Sequence, residues 1–214
     1  MRPTDHIGHK RGCPMCGRER MRSLRKSKLV LGVGINDMPN VRQTTAYRYW
    51  FTMLRRCYEK KYQDKYPTYK ECSVCEEWHT FSNFKKWFDN PENGYQEGYQ
   101  LDKDILVKGN KIYSPKTCCF VPNRLNTLIL LRKRSRGNYP IGVSRVENSY
   151  IAQINTPTHK VHLGYFNTPE KAFAVYKAAK EAYLKEIAEG YYKQGKITKE
   201  VYLALQRYKV EITD

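Results

Sequence analysis

One segment near the middle of the chain changes its hydrophobic pattern in a fixed order: strand, loop, strand, helix. YQLDKDIL (99–106) reads as a strand, and VKGNK (107–111) contains the Gly-Asn pair typical of a turn. KTCCFV (116–121) predicts a second strand, and Pro122 suits the first turn of a helix that continues through NRLNTLILLRK (123–133). Such an order can close into a small ββα unit, so the sequence predicts an α+β fold.

A helix is predicted for residues 44–64, with Thr44 or Thr45 as its N-cap. Its apolar residues recur at helical spacing: Trp50, Met53, Leu54 and Cys57. We interpret this helix as scaffold. The preceding residues 31–43 combine Gly, Asn, Asp and Pro and predict a linker, and the aromatic residues of 72–89 have a spacing typical of a core.

Residues 139–166 predict three short strands separated by turn residues. A helix then begins at Thr168-Pro169-Glu170, which supplies a cap, a proline at the first helical position and an acid near the positive helix end. Three strands and a helix make a small antiparallel sheet backed by one helix. Residues 196–208 predict a last short helix that supports the packing.

The chain has 214 residues and a net charge of +18, which predicts attraction to a polyanion. Basic residues cluster in 9–28 and in RKRSRG (132–137), where Arg132, Lys133, Arg134 and Arg136 are candidate phosphate contacts. Nucleic acid is the expected partner, although a solvated tail is the alternative for the first cluster. No apolar run approaches the ~18 residues of a membrane helix, and no signal core is present. We therefore expect no membrane partner, no small-molecule substrate and a cytoplasmic location.

The motifs GVSRVENSYIAQI, HLGYF and TPEKAFAVYKAAKEAY, within residues 139–187, resemble the plant ethylene-response-factor (Apetala-type) DNA-binding domain. The resemblance implies a three-stranded antiparallel sheet whose exposed face enters the major groove of double-stranded DNA. The positions that match the contact face of that family are Ser144, Arg145, Tyr150, Gln153, Asn155, Lys160 and His162. The plant domains carry mostly Arg and Trp there. This set is more polar, so the target sequence of the family does not transfer.

A second resemblance covers roughly residues 47–130. RRCY, YPTYKECSVCEEW, FSNF, LDKDIL, GNKIYSPKTC and FVPNRLN resemble HNH-type homing endonucleases of phages and bacteria. The resemblance implies a ββα core that holds Mg²⁺ or another divalent ion on the scissile phosphate. Asp102 and Asn126 match its metal ligands, and Asn126 follows Thr117 at the family spacing of nine residues.

Two positions depart from that pattern. Lys103 stands where the catalytic histidine belongs, and Thr117 stands where an asparagine anchors the loop. Lysine is a poor base near neutral pH, so Lys103 could instead clamp a phosphate, while Asp104 could act as the base or as a second metal ligand. His79 is a further candidate base, although a histidine beside an aromatic stripe is more often structural.

Seven cysteines without an export signal favour metal ligands or buried thiols over disulfides. Cys13-Pro-Met-Cys16 resembles a zinc knuckle, with His6 and His9 just upstream. Cys72 and Cys75 form a second CxxC that could hold zinc together with Cys57 and Cys118, and buried thiols are the equal alternative.

The sequence therefore predicts a modular DNA-binding protein, most simply a metal-dependent homing endonuclease or nickase. The alternatives are a non-catalytic DNA-binding regulator on a degenerate nuclease scaffold and an RNA-binding structural protein. The expected segments are a zinc-knuckle-like 1–30, the linker 31–43, an HNH-like domain 44–133, a DNA-binding domain 139–190 and a helical tail 191–214.

Overall fold

The structure, a computed structural model, describes residues 29–129, 139–156 and 159–214. Cys13 and Cys16, and the basic residues Arg132, Lys133, Arg134 and Arg136, lie outside the described residues. The fold class is α+β, as predicted. The chain divides into two compact units, residues 1–85 and 86–214, so the boundary falls inside the segment 44–133 that was expected to form one domain.

The described part of the first unit is mainly helical. It contains α1 (Thr45–Tyr58), α2 (Lys60–Lys65), the short strand β1 (Ser73–Val74) and the start of α3 (Phe81–Phe88), with 3-10 turns at Pro67–Tyr69 and Glu76–His79. Thr44 is the N-cap of α1, because its side chain accepts a hydrogen bond from the Tyr47 amide at 3.3 Å. The predicted helix over 44–64 is thus two helices, α1 and α2.

The core of the first unit is aromatic, as the spacing predicted. Trp50, Trp78 and Phe81 are fully buried, and the Trp50 indole Nε1 donates to the Trp78 carbonyl at 2.7 Å. Residues 31–43, predicted to be a linker, make backbone hydrogen bonds within the first unit. The Ile35 amide donates to the His79 carbonyl at 2.8 Å, and the Phe81 amide donates to the Ile35 carbonyl at 2.9 Å.

The second unit begins with the ββα segment. β2 (Tyr99–Asp102) pairs antiparallel with β4 (Cys119–Pro122), and α4 (Asn123–Ile129) follows directly. A 3-10 turn (Pro91–Asn93) precedes them, and β3 (Ile112–Tyr113) lies in the connecting loop. Pro122 ends β4 opposite Tyr99 and is not in the helix, which corrects its predicted place.

The remaining elements form the predicted three-stranded sheet and its helices. β5 (Val143–Val146), β6 (Ser149–Asn155) and β7 (Lys160–Phe166) are antiparallel in the order β5-β6-β7. α5 (Pro169–Lys193) starts as predicted, with Thr168 as N-cap and Pro169 in its first turn, and α6 (Lys199–Gln206) is the short C-terminal helix.

Helix α5 belongs to two hydrophobic clusters. Its first half packs against the sheet through Ala172, Phe173 and Tyr176, next to the buried Ala152 and Ile154. Near its end, Ala188 joins a cluster that also holds residues of β4, α4 and α6: Val121, Leu125, Val201 and Leu205. Helix α5 thus contributes to the packing of both the ββα segment and the sheet. Over the described ranges, no helix combines the length and apolar character needed to cross a membrane.

Candidate nucleic-acid interface and the nuclease-like loop

β2 ends at Asp102 because the side chain of Asp102 accepts hydrogen bonds from the backbone amides that follow. Its Oδ1 accepts hydrogen bonds from the amides of Asp104 and Ile105, both at 2.8 Å. These local bonds compete with the strand ladder, so the predicted strand 99–106 stops at residue 102. Burial and the nearby negative charge of Asp104 raise the pKa of the Asp102 carboxyl to about 6.

Lys103, which the sequence resemblance matched to the catalytic histidine, is only 8% exposed. Its ammonium donates to the Asn110 carbonyl at 3.0 Å and lies 3.3 Å from Oδ2 of Asp104. It also lies over the ring of Tyr113, 5.9 Å from the centroid. The amine is thus engaged by groups of its own loop.

The loop between β2 and β4 is anchored, although its anchor was expected to be lost. Thr117 Oγ1 donates to the Ile112 carbonyl at 2.8 Å and lies 2.8 Å from Oγ of Ser114. Asn110 was missed by the sequence analysis. Its Nδ2 lies 2.7 Å from the carbonyls of both Lys103 and Ile112. The sequence feature that could have identified Asn110 is the glycine directly before it, since a Gly-Asn pair is typical of a turn. In the structure Gly109 has a φ of +79°, which marks a tight turn.

The donor set fits a divalent cation poorly. One oxygen of Asp102 is engaged by two amides, and an ammonium already sits against Asp104. Asn126 is half-buried on α4, and among the described residues no hydrogen bond joins it to Asp102. Within residues 29–129, 139–156 and 159–214, no three His, Cys, Asp or Glu side chains converge as a metal-binding group.

His79, the further candidate base, lies in the first unit. Its Nε2 contacts the Tyr58 hydroxyl at 3.2 Å.

The two cysteines of the second CxxC pair differ in burial. Cys72 is buried, and its Sγ lies 3.6 Å from the Thr68 carbonyl. Cys75 is half-buried, and burial raises the pKa of its thiol.

The sheet presents five of the seven predicted contact residues on one face: Ser144, Gln153, Asn155, Lys160 and His162. Gln153 is directly opposite His162, and Asn155 is opposite Lys160. The alternate residues of β6, Ala152 and Ile154, are buried against α5. We call the side away from α5 the outer face.

Tyr150 and Arg145 do not belong to the outer face. They are directly opposite each other in the β5–β6 ladder, and Tyr150 is two residues before Ala152 on β6. Both residues therefore lie on the side of the sheet that faces α5. Tyr150 packs against the sheet–helix cluster and contacts the ring of Tyr139. Arg145 is exposed on the edge strand. Tyr150 is half-buried.

Tyr165 and Ile151 are outer-face residues that the sequence analysis missed. They are opposite each other, and Tyr165 is 63% exposed with its ring centroid 4.7 Å from that of His162. A register shift between Ala152 and Gln153 breaks the alternation of β7, so that residues three apart share a face. Gly164, with a φ of +134°, was the sequence signal of this bulge.

Comparisons of this chain with protein-family models, with curated proteins and with solved structures found no match.

Proposed function

We propose that this protein binds double-stranded DNA with the outer face of the sheet β5–β7. The observation that carries the proposal is that five of the seven predicted contact side chains share one solvent-facing side, opposite α5. A β-sheet face can enter the major groove, where it reaches base edges with the side chains of alternate residues.

The charge of the chain supports the same partner. The net charge is +18, and the sequence RKRSRG precedes the sheet with four basic residues and no acid. Lys and Arg contacts to phosphates supply the sequence-independent part of DNA affinity, and side chains that reach base edges supply specificity. Lys160, exposed at one end of β7, suits a phosphate contact.

We further propose that the ββα segment supports the fold and does not cut DNA. Hydrolysis of a phosphodiester needs a base that activates water and a group that stabilises the developing charge. Lys103 occupies the base position, and it is buried between Asn110 and Asp104. This arrangement favours a non-catalytic DNA-binding protein over the homing endonuclease that the sequence first indicated.

A metal-dependent endonuclease or nickase remains the second candidate, because two carboxyl groups converge in the loop. Asp102 has a pKa raised to about 6, which is nearer to neutrality than that of an ordinary aspartate, and the Asp104 side chain is 46% exposed. Asp104 is therefore the accessible base candidate of this loop.

DNA binding is tested by fluorescence anisotropy with a labelled duplex, single-stranded DNA and single-stranded RNA of the same sequence. We expect preferential duplex binding that weakens steeply as salt rises. Lys160→Ala should reduce duplex affinity, whereas Lys171→Ala should not, because Lys171 is exposed on α5, behind the sheet. Equal effects of the two variants, or a preference for single-stranded RNA, would contradict the proposal.

Cleavage is tested with supercoiled plasmid in Mg²⁺ or Mn²⁺. We expect the wild type to shift the plasmid on a gel without nicking it. If the wild type nicks or linearises the plasmid while Asp102→Asn and Asn126→Ala do not, the nuclease candidate is correct. Asp102→Asn keeps an oxygen that accepts the two loop amides, so its loss of activity would not reflect a collapsed loop.

A further inference from the structure

The outer face carries amides and apolar side chains where DNA-reading faces often carry arginine. Its described residues include Gln153, Asn155, Ile151 and Tyr165, and they include no arginine. From this composition we propose that the outer face reads A·T base pairs in the major groove, and that Gln153 reads adenine. This inference rests on the proposed function and names the class of target sequence.

Gln153 is held in one orientation by its neighbour. Its Nε2 donates to the Ser144 Oγ on the adjacent strand at 3.2 Å. One N–H of the amide is used in this way, and the second N–H and the oxygen are left for a ligand. Adenine presents an acceptor, N7, beside a donor, the N6 amino group, which match that pair. Fixing the amide in advance reduces the entropy lost on binding.

The apolar side chains of the outer face suit contact with thymine, the base that pairs with adenine. Ile151 and Tyr165 are directly opposite on neighbouring strands, and Tyr165 is 63% exposed. The thymine 5-methyl group is the only methyl group at the major-groove edge of unmodified DNA, and apolar side chains contact it. An amide and an apolar pair side by side on β6 and β7 therefore complement an A·T pair.

Recognition of guanine would require different side chains on the outer face. Its two major-groove acceptors, O6 and N7, are most often read by a bidentate Arg or Lys. On the described outer face the cationic candidate is Lys160, which lies at the end of β7 opposite Asn155. At that end position its charge suits the phosphate backbone more than the groove floor.

The experiment is selection of bound duplexes from a random-sequence pool by the full-length protein, followed by anisotropy on selected and scrambled duplexes. We expect enrichment of A·T pairs and about tenfold weaker binding when the central A·T pairs are replaced by G·C, the size of one lost bidentate contact. Gln153→Ala should remove most of this discrimination. Ser144→Ala should reduce it in part, because Gln153 then loses the hydrogen bond that orients its amide.

A charge-matched pair of variants sharpens the test. Gln153→Arg should move the preference toward guanine at one position, whereas Gln194→Arg adds the same charge at an exposed residue after α5 and should leave the preference unchanged. Circular dichroism checks that each variant is folded. Duplex binding without A·T enrichment, or discrimination that survives Gln153→Ala, overturns this inference alone. Failure to bind any duplex overturns both this inference and the proposed function.

Discussion

The ammonium of Lys103 lies 3.3 Å from the carboxylate of Asp104, inside the loop that joins β2 to β4. The same ammonium donates to the Asn110 carbonyl, and the Asn110 side chain returns a bond to the Lys103 carbonyl. Lys103 and Asn110 thus hold two parts of this loop together. The positive charge of Lys103 lies beside the carboxylate of Asp104.

Replacing Lys103 should therefore destabilise the fold. Lys103→Met keeps much of the side-chain volume but leaves the Asn110 carbonyl without its donor and the Asp104 carboxylate without its ion-pair partner. We expect a loss of about 2 kcal/mol in the free energy of unfolding, measured by urea denaturation. Lys116→Met, at an exposed lysine of the same loop, should change it by less than about 0.5 kcal/mol. Equal stability of the two variants would show that the buried ammonium is not structural.

The raised pKa of Asp102 predicts a pH dependence with a definite sign. The folded state holds the proton of this carboxyl up to about pH 6, whereas an unfolded aspartate has the ordinary value of 3.8. The folded state thus binds more protons between these values, and its stability should fall as pH rises through that window. Relative to wild type, the stability of Asp102→Asn should rise by about 3 kcal/mol across the window and the difference should remain level above pH 7. Urea denaturation as a function of pH measures the difference, and a difference that is constant with pH would contradict it.

The C-terminal helix should be part of the fold of the second unit rather than an appendage. Leu205 of α6 is fully buried in the cluster with Val121 and Leu125, whereas Leu203 of the same helix is 41% exposed. Leu205→Ala should cost about 3 kcal/mol, and Leu203→Ala should cost well under 1 kcal/mol. Thermal or urea unfolding measures both. A small loss at Leu205 would mean that α6 does not complete the core.

Gly34 should tolerate no side chain, because a Cβ there would meet Leu54 Cδ1 at 2.5 Å and Trp50 at 2.9 Å. Gly34→Ala should destabilise the first unit by about 1–3 kcal/mol through overpacking. At Gly190, inside α5, an added Cβ would meet no atom within 4 Å beyond the neighbouring backbone of its own helix. Gly190→Ala should instead stabilise the protein by roughly 0.5–1 kcal/mol. Urea denaturation compares the two, and the same sign for both would be inconsistent with the packing around Gly34.

Local signals were enough to predict several elements from the sequence. Thr44 and Thr168 cap α1 and α5 because an N-cap depends on a side chain and an amide three residues later, which are always close along the chain. The strand, loop, strand, helix order of the ββα segment and the three strands of the sheet also followed from periodicity. The residues that share the outer face could be predicted where the alternation of a strand is regular, as for Gln153 and Asn155.

Only the tertiary structure determined which contacts the side chains of these elements make. Whether Lys103 reaches a phosphate or closes its own loop depends on the path of residues 104–113, since the chain must bring Asn110 back to the amine. A bulge decided that Tyr165 joins His162 on the outer face, because a register shift depends on the pairing of two strands. Helix α5 serves both the sheet and the ββα segment because hydrophobic surface is buried wherever a partner surface is available, and sequence separation does not limit that choice.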